Sequence, residues 1–184
     1  MKYYKLKNKK APWADYGRIL ISGMTGHLDR EGDLLQLERT GPFVPPLINT
    51  GGEDVIVTDE IKRKLSSSGL TGISFKPVIK KHIVFIEWTN WDFSTDEPLF
   101  YPEGGEPEDY ILDNPHSEEL AEQMGPIWEI VIPETGIFDD RDQYIPGTIA
   151  LDICMAENRG YILVSEKAKV WIEQYAGDWV TFSD

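Results

Sequence analysis

The chain reads as an α+β protein: a mixed, mostly antiparallel sheet with a few short helices, organised around two similar strand–helix–strand units. Three observations predict this. Apolar runs of strand length recur between turn residues rather than in long helical stripes. Two of those runs lead directly into a helix start, with Thr or Ser in the capping position and an acid after it. The two stretches that combine these features, 55–75 and 162–182, overlay without gaps at a single offset of 107 positions.

From the N-terminus, a basic segment (Lys2 to Lys10) gives way to Tyr16–Ser22, a short strand ended by Gly23 and Gly26. A polar stretch follows. Pro42, Pro45 and Pro46 then exclude regular structure between Gly41 and Leu47 and mark a linker. This divides the chain into an N-terminal extension (1–46) packed on an α+β domain (47–184), the whole being compatible with one domain. Glu53–Val57 is a strand. Thr58 caps the helix after it, Asp59 and Glu60 sit at the positive end of the helix dipole, and Gly69 stops it. Ile73-Ser74-Phe75 starts the next strand. Lys81–Trp88 has the apolar character of a central strand, with Trp88 in the core. Residues 90–114, rich in Pro, Gly and acids, form an irregular excursion. Ser117–Met124 is a short acidic helix, Ile127–Ile132 a strand closed by Pro133, and Thr148–Met155 a third strand, turned by 157–160 into the final unit. In that unit Tyr161–Val164 is a strand, Ser165 a cap, Lys167–Tyr175 a helix and Trp179–Phe182 a strand. The overlay pairs Val57 with Val164, Thr58 with Ser165, Asp59 with Glu166, Lys62 with Lys169, Leu65 with Ile172 and Phe75 with Phe182.

Composition narrows the function. With 184 residues, 41% apolar, and 6 Trp, 8 Tyr and 7 Phe, the chain has enough large apolar surface to form a core, unlike a disordered acidic tail. No run approaches the ~20 apolar residues of a membrane span, and no apolar segment of signal-peptide length follows the basic N-terminus. The single Cys154 lies in a buried strand pattern and acts as a small hydrophobe. These features predict a cytoplasmic protein without membrane contact. The formal charge of −14 repels phosphate backbones, so no direct nucleic-acid binding is expected, and it favours approach to a basic protein.

Catalytic signatures are missing one by one. His27, His82 and His116 lie in separate contexts without metal-ligand spacing, and His116 precedes a helix that it would help to cap. The glycine loops at Gly23–Gly26, Gly51-Gly52 and Gly104-Gly105 lack the Lys-Ser/Thr ending of a phosphate loop and are explained as turns. No nucleophile elbow occurs. Asp139-Asp140-Arg141-Asp142 lacks the alternation of a calcium loop, so neither metal nor cofactor is expected. What remains are aromatics flanked by charge, at Trp91 and Asp92, and two acidic loops: Glu103, Glu106, Glu108 and Asp109, then Asp139, Asp140 and Asp142. Aromatic anchors beside charge are the usual makings of a protein interface.

Val55-Ile56-Val57-Thr58-Asp59-Glu60, Leu70–Val78 and Ile162-Leu163-Val164-Ser165-Glu166 resemble segments of bacterial immunity proteins of polymorphic toxin systems. The resemblance covers about a third of the chain. It implies an acidic cytosolic inhibitor, not an enzyme, whose partner is a cognate toxin, basic and nuclease-like, neutralised by direct contact. The competing readings are a carboxylate-based hydrolase, which needs two acids converging in a pocket, and a scaffolding module.

Overall fold

A computed structural model describes residues 2–25, 30–50, 54–86, 88, 92, 94–98, 101–102 and 105–184. His27, Gly51–Glu53, Trp91, Glu103 and Gly104 lie outside the described residues. The fold is α+β, with thirteen strands and five helices among the described residues and mostly antiparallel pairing.

Each repeat is a strand, a capped helix and a strand: β5 (Val55–Thr58), α2 (Asp59–Ser66) and β6 (Ser74–Pro77), then β12 (Ile162–Ser165), α5 (Glu166–Ala176) and β13 (Val180–Ser183). Each helix starts because a hydroxyl replaces a missing backbone acceptor. Thr58 Oγ1 accepts from the Ile61 N–H at 3.5 Å, and Ser165 Oγ from the Ala168 N–H at 3.2 Å. Each such cap contributes about 1 kcal/mol. Ion pairs Arg63–Asp59 and Lys64–Glu60, four residues apart, support the exposed side of α2.

Neither pair of repeat strands touches. In one sheet, β8 (Ile127–Val131) lies between β5 and β6, antiparallel to both, and β4 (Leu47–Asn49) adds to the outside of β5. In the other, β1 (Tyr3–Asn8) lies between β12 and β13, again antiparallel to both, and β11 (Ile153–Met155) adds to the outside of β12. The orders β4-β5-β8-β6 and β11-β12-β1-β13 are therefore the same arrangement. The helical crossover connects parallel strands across one intervening strand, a span of about 10 Å.

The equivalence extends to side chains. Phe75 opposes Ile130 as Phe182 opposes Leu6, so the offset of 107 survives in the registers. Trp128 and Tyr4 occupy matching places on the inserted strands. Asp59 Oδ1 accepts from the Trp128 indole at 3.0 Å, and Glu166 accepts from the Tyr4 hydroxyl. Lys62 Nζ lies 3.4 Å from the Trp128 ring centre and Lys169 Nζ 4.4 Å from that of Tyr4. One acid and one lysine per helix thus hold the inserted aromatic by the same hydrogen bond and cation–π contact. The two units share a core that includes Leu6, Val57, Leu65, Ile130, Val164 and Ile172.

Buried Asp152 pins the units together. Its Oδ1 accepts from Ser165 Oγ at 2.8 Å, and its Oδ2 accepts from the Thr71 N–H and Oγ1, each at 3.0 Å. Thr71 belongs to the first unit and Ser165 caps the helix of the second.

A third layer covers the first sheet. β2 (Arg30–Glu31), β3 (Leu34–Gly41) and β7 (Ile79–Phe85) form it, with β3 and β7 parallel. The polar stretch expected at 34–41 is thus a strand, with Leu35, Leu37 and Arg39 alternating inward. β7 lies at the edge of this sheet instead of its centre. It is apolar on both faces because helices cover it: Ile83 packs on Leu120 and Ala121 of α4 (Glu118–Gln123), and Val84 on Leu20 and Ile111. Leu20 belongs to α1 (Ala14–Ser22) and Ile111 to α3 (Pro107–Asp113). α1 corrects the strand expected at Tyr16–Ser22. Its β-branched residues suggest a strand, but Gly17, Leu20 and Ile21 are buried at helical spacing. The expected strand at Thr148–Met155 is regular only at β11, and Ile149 is exposed. His116 does not cap α4. Ser117 does, while His116 Nδ1 accepts the Ile83 N–H at 2.9 Å and blunts the edge of β7. A small hairpin, β9 (Ile137–Phe138) with β10 (Tyr144–Ile145), completes the fold.

Burial alone raises the Asp152 pKa, but the hydrogen bonds from Ser165 and Thr71, with Lys167 nearby, outweigh it and hold the carboxyl below its ordinary range. Its stabilisation is therefore present above the unfolded value of about 3.9 and is lost as pH falls through the lower folded value. Asp152→Asn should lower stability by about 2–3 kcal/mol at neutral pH and remove that part of the acid limb. Urea unfolding midpoints measured from about pH 7 to pH 2 check this.

Candidate functional site

The sequence-predicted interface residues fall on separate elements. Trp91 and Glu103 lie outside the described residues. Asp92 is exposed, and its Oδ1 accepts from Ser94 Oγ at 2.6 Å and the Ser94 N–H at 2.9 Å, contacts that lower its pKa. Glu106 precedes α3, and Glu108 and Asp109 form its first turn, where the helix dipole favours acids. Asp139 folds its own loop: Oδ1 accepts the Arg141 and Gln143 N–H groups at 2.9 and 2.8 Å. Asp140 is exposed. Asp142 is engaged internally, 3.1 Å from Lys5 Nζ and 3.9 Å from Arg159. Lys5 also lies over the rings of Phe138 and Tyr161. The second acidic loop is thus partly neutralised by its own molecule, whereas the acids on α3 are not.

A larger acidic surface surrounds α3 and α4. From His82 to Asp140 the sequence has no Lys or Arg, yet it holds 16 of the 32 acids. Asp109, Asp113, Glu119 and Glu122 are exposed on these helices or at their ends, without an ion pair among the described residues. Large apolar groups accompany them: Phe85 is 62% exposed, Tyr101 54% and Leu112 52%. The helices are anchored from beneath. Tyr110 Oη donates to the Phe85 carbonyl at 3.0 Å, and Lys80 Nζ donates to the Ala121 and Gly125 carbonyls at the end of α4. These exposed residues were missed by a reading confined to loops. The signal that finds them is the unbroken stretch without a basic residue.

Two arginines, one half-buried and one fully buried, are held inside the fold. Arg30 Nη2 lies 2.7 Å from Glu129 Oε1 and 3.0 Å from Asp54 Oδ1, and Nη1 reaches Glu129 Oε2 at 3.1 Å. This ties the third layer to the centre of the first sheet. The hydrogen bonds that Arg30 donates to Glu129 raise its pKa above its already high value. The two acids that converge here are therefore matched by a guanidinium. Arg39 is fully buried. Its Nε donates to the Thr40 carbonyl at 2.7 Å and Nη2 to that of Phe43 at 2.8 Å, while Nη1 has no hydrogen-bond partner. Burial pushes its pKa down to about 9.

Among the described residues, no three His, Cys, Asp or Glu side chains gather as a metal site, and no helix is long and apolar enough to cross a membrane. Cys154 is buried, 3.3 Å from Tyr144 Oη, and burial raises its thiol pKa, which disfavours the reactive thiolate. Comparison with protein-family models gives no match to this chain, and comparison with curated proteins gives none either.

A buried cation without a carboxylate partner is a net cost to the fold, because its desolvation exceeds what two carbonyls return. Arg39→Met should raise stability by about 1–3 kcal/mol at neutral pH, read as an increased urea midpoint with an unchanged slope.

Proposed function

We propose that this is an immunity-type binding protein that neutralises a cognate bacterial toxin in the cytoplasm by protein–protein contact, with the α3–α4 face as the contact surface. The observation that carries this reading is the set of acids on and beside α3 and α4 that have no ion pair among the described residues, together with exposed Leu112 on α3 and exposed Phe85 at the end of β7, whose carbonyl accepts from Tyr110 of α3. Such a surface suits a basic, nuclease-like partner. The acids steer its approach over a distance of order the Debye length, about 8–10 Å at ordinary ionic strength. The apolar groups then supply the desolvated contact that slows dissociation. Occupying a cleft meant for a polyanion would exclude the toxin's substrate.

Co-expression with the product of the neighbouring gene should give a complex that co-purifies and should restore growth to cells making that product. Reversing Asp109, Asp113 and Glu119 to Lys should slow association at least about tenfold at low salt, with a smaller effect at high salt. Leu112→Ala should instead raise the dissociation rate. Surface plasmon resonance separates the two rates, and unchanged association in the charge-reversed variant would remove this face from the interface.

A further inference from the structure

The toxin-facing reading does not use the groove at the other charge extreme of the molecule. The end of β1, the start of α1 and the edge strand β4 enclose a volume of about 840 Å³. Half-buried Trp179 supplies apolar wall above the buried Leu47 and Ile21, and Lys7, Lys9, Lys10 and Arg18 supply charge, with Asp15 and Asp178 as the acids that also line it. All four cations are exposed, and none has a carboxylate within 4.0 Å among the described residues. In a chain with 32 acids and 18 bases this is unexpected. Most other lysines and arginines are ion-paired, as Lys2, Lys5, Arg30, Arg63, Lys64 and Lys76 are.

The wall also has a backbone component. β4 is bonded to β5 on one side only. On its other side Asn8 imitates a peptide: its Nδ2 donates to the Asn49 carbonyl at 2.6 Å, and its Oδ1 accepts the Asn49 N–H at 3.3 Å. Backbone groups alternate between the two edges of an antiparallel strand, so those of Leu47, two residues earlier, face the same way. The cations follow a similar period. Lys7 and Lys9 are two residues apart at the end of an extended strand, a spacing of about 6.8 Å that matches alternate side chains of a second extended chain.

We propose that this groove binds an extended acidic peptide segment with alternating apolar residues, the carboxylates meeting Lys7, Lys9, Lys10 and Arg18 and the apolar side chains meeting Trp179. A long nucleic acid would meet the repulsion of a chain carrying −14 overall. The site is independent of the toxin-binding surface, and its occupant is opposite in charge.

The test uses the full chain and a fluorescein-labelled octapeptide of alternating Glu and Leu, followed by fluorescence anisotropy. A Lys–Leu octapeptide and an eight-nucleotide oligothymidylate serve as comparison probes. The Glu–Leu peptide should bind with a Kd of order micromolar, and reversing Lys7, Lys9 and Arg18 to Glu together should weaken it at least about tenfold. Arg141→Glu, a reversal elsewhere on the surface, should change it less than about twofold. Arg18→Glu alone, at an exposed helix position, should weaken binding about threefold and provides the measurement if the triple variant does not fold. Equal affinity for the native and Arg18→Glu proteins, tighter binding of either comparison probe, or no binding of the Glu–Leu peptide at about millimolar protein would each overturn the proposal.

Discussion

Each strand–helix–strand unit leaves a gap one strand wide, and the rest of the molecule depends on how the two gaps are filled. The parallel strands joined by each helix do not lie side by side. The open backbone edges between them must still be satisfied, because an unpaired buried N–H or carbonyl costs about as much as a lost hydrogen bond. One gap takes β8 from later in the chain, and the other takes the N-terminal strand β1. The same residues secure both insertions: an acid in the first turn of the helix and a lysine three residues later hold the aromatic of the incoming strand.

This requirement also distributes the charge. Filling the second gap brings the lysine-rich N-terminus into the middle of a sheet, so Lys5, Lys7 and Lys9 leave the sheet beside β4 and α1 instead of trailing into solvent. Filling the first gap requires the chain to leave β7, cross the surface and return as β8. That excursion contains α3 and α4 and most of the stretch without Lys or Arg. The basic groove and the acidic helical face are thus two consequences of one topological need. The acidic face and the four cations of the groove lie outside the repeated units, although Trp179 of the second unit forms part of the groove's wall.

The repeat was legible in the sequence because its signals are local. A Thr or Ser cap, an acid beside it and apolar residues four apart are set within a dozen positions, and the structure keeps the same offset through strand, helix and strand. The inserted strands were not legible as partners. Nothing in Tyr3–Asn8 says which strands will flank it, and its alternation of Lys5 and Lys7 with Leu6 and Asn8 reads equally well as an edge. α1 was misread for a related reason. Ile19 and Ile21 favour extended structure locally, but Leu20, at helical spacing from Gly17, packs on Val84 of β7. Gly17 is needed because the preceding loop folds back on the helix: a Cβ there would lie 1.8 Å from the Pro12 carbonyl oxygen.

The candidate sites divide along the same line. The acidic loops were visible as composition, but only the structure separates acids that are spent from acids that are available. Asp142 is close to Lys5 and Arg159, Asp139 ties up its own backbone, and Asp54 and Glu129 are held by Arg30. Asp109, Asp113, Glu119 and Glu122 have no ion pair among the described residues, in keeping with a surrounding sequence that contains no Lys or Arg. The groove shows the converse. Its lysines looked like an ordinary solvated N-terminus until β1 was placed beside β4, where Asn8 already occupies part of a strand edge with a peptide-like pair of hydrogen bonds. Charge separated in sequence by the folding requirement becomes charge separated in space, which allows one small, acidic protein to offer surfaces to partners of opposite sign.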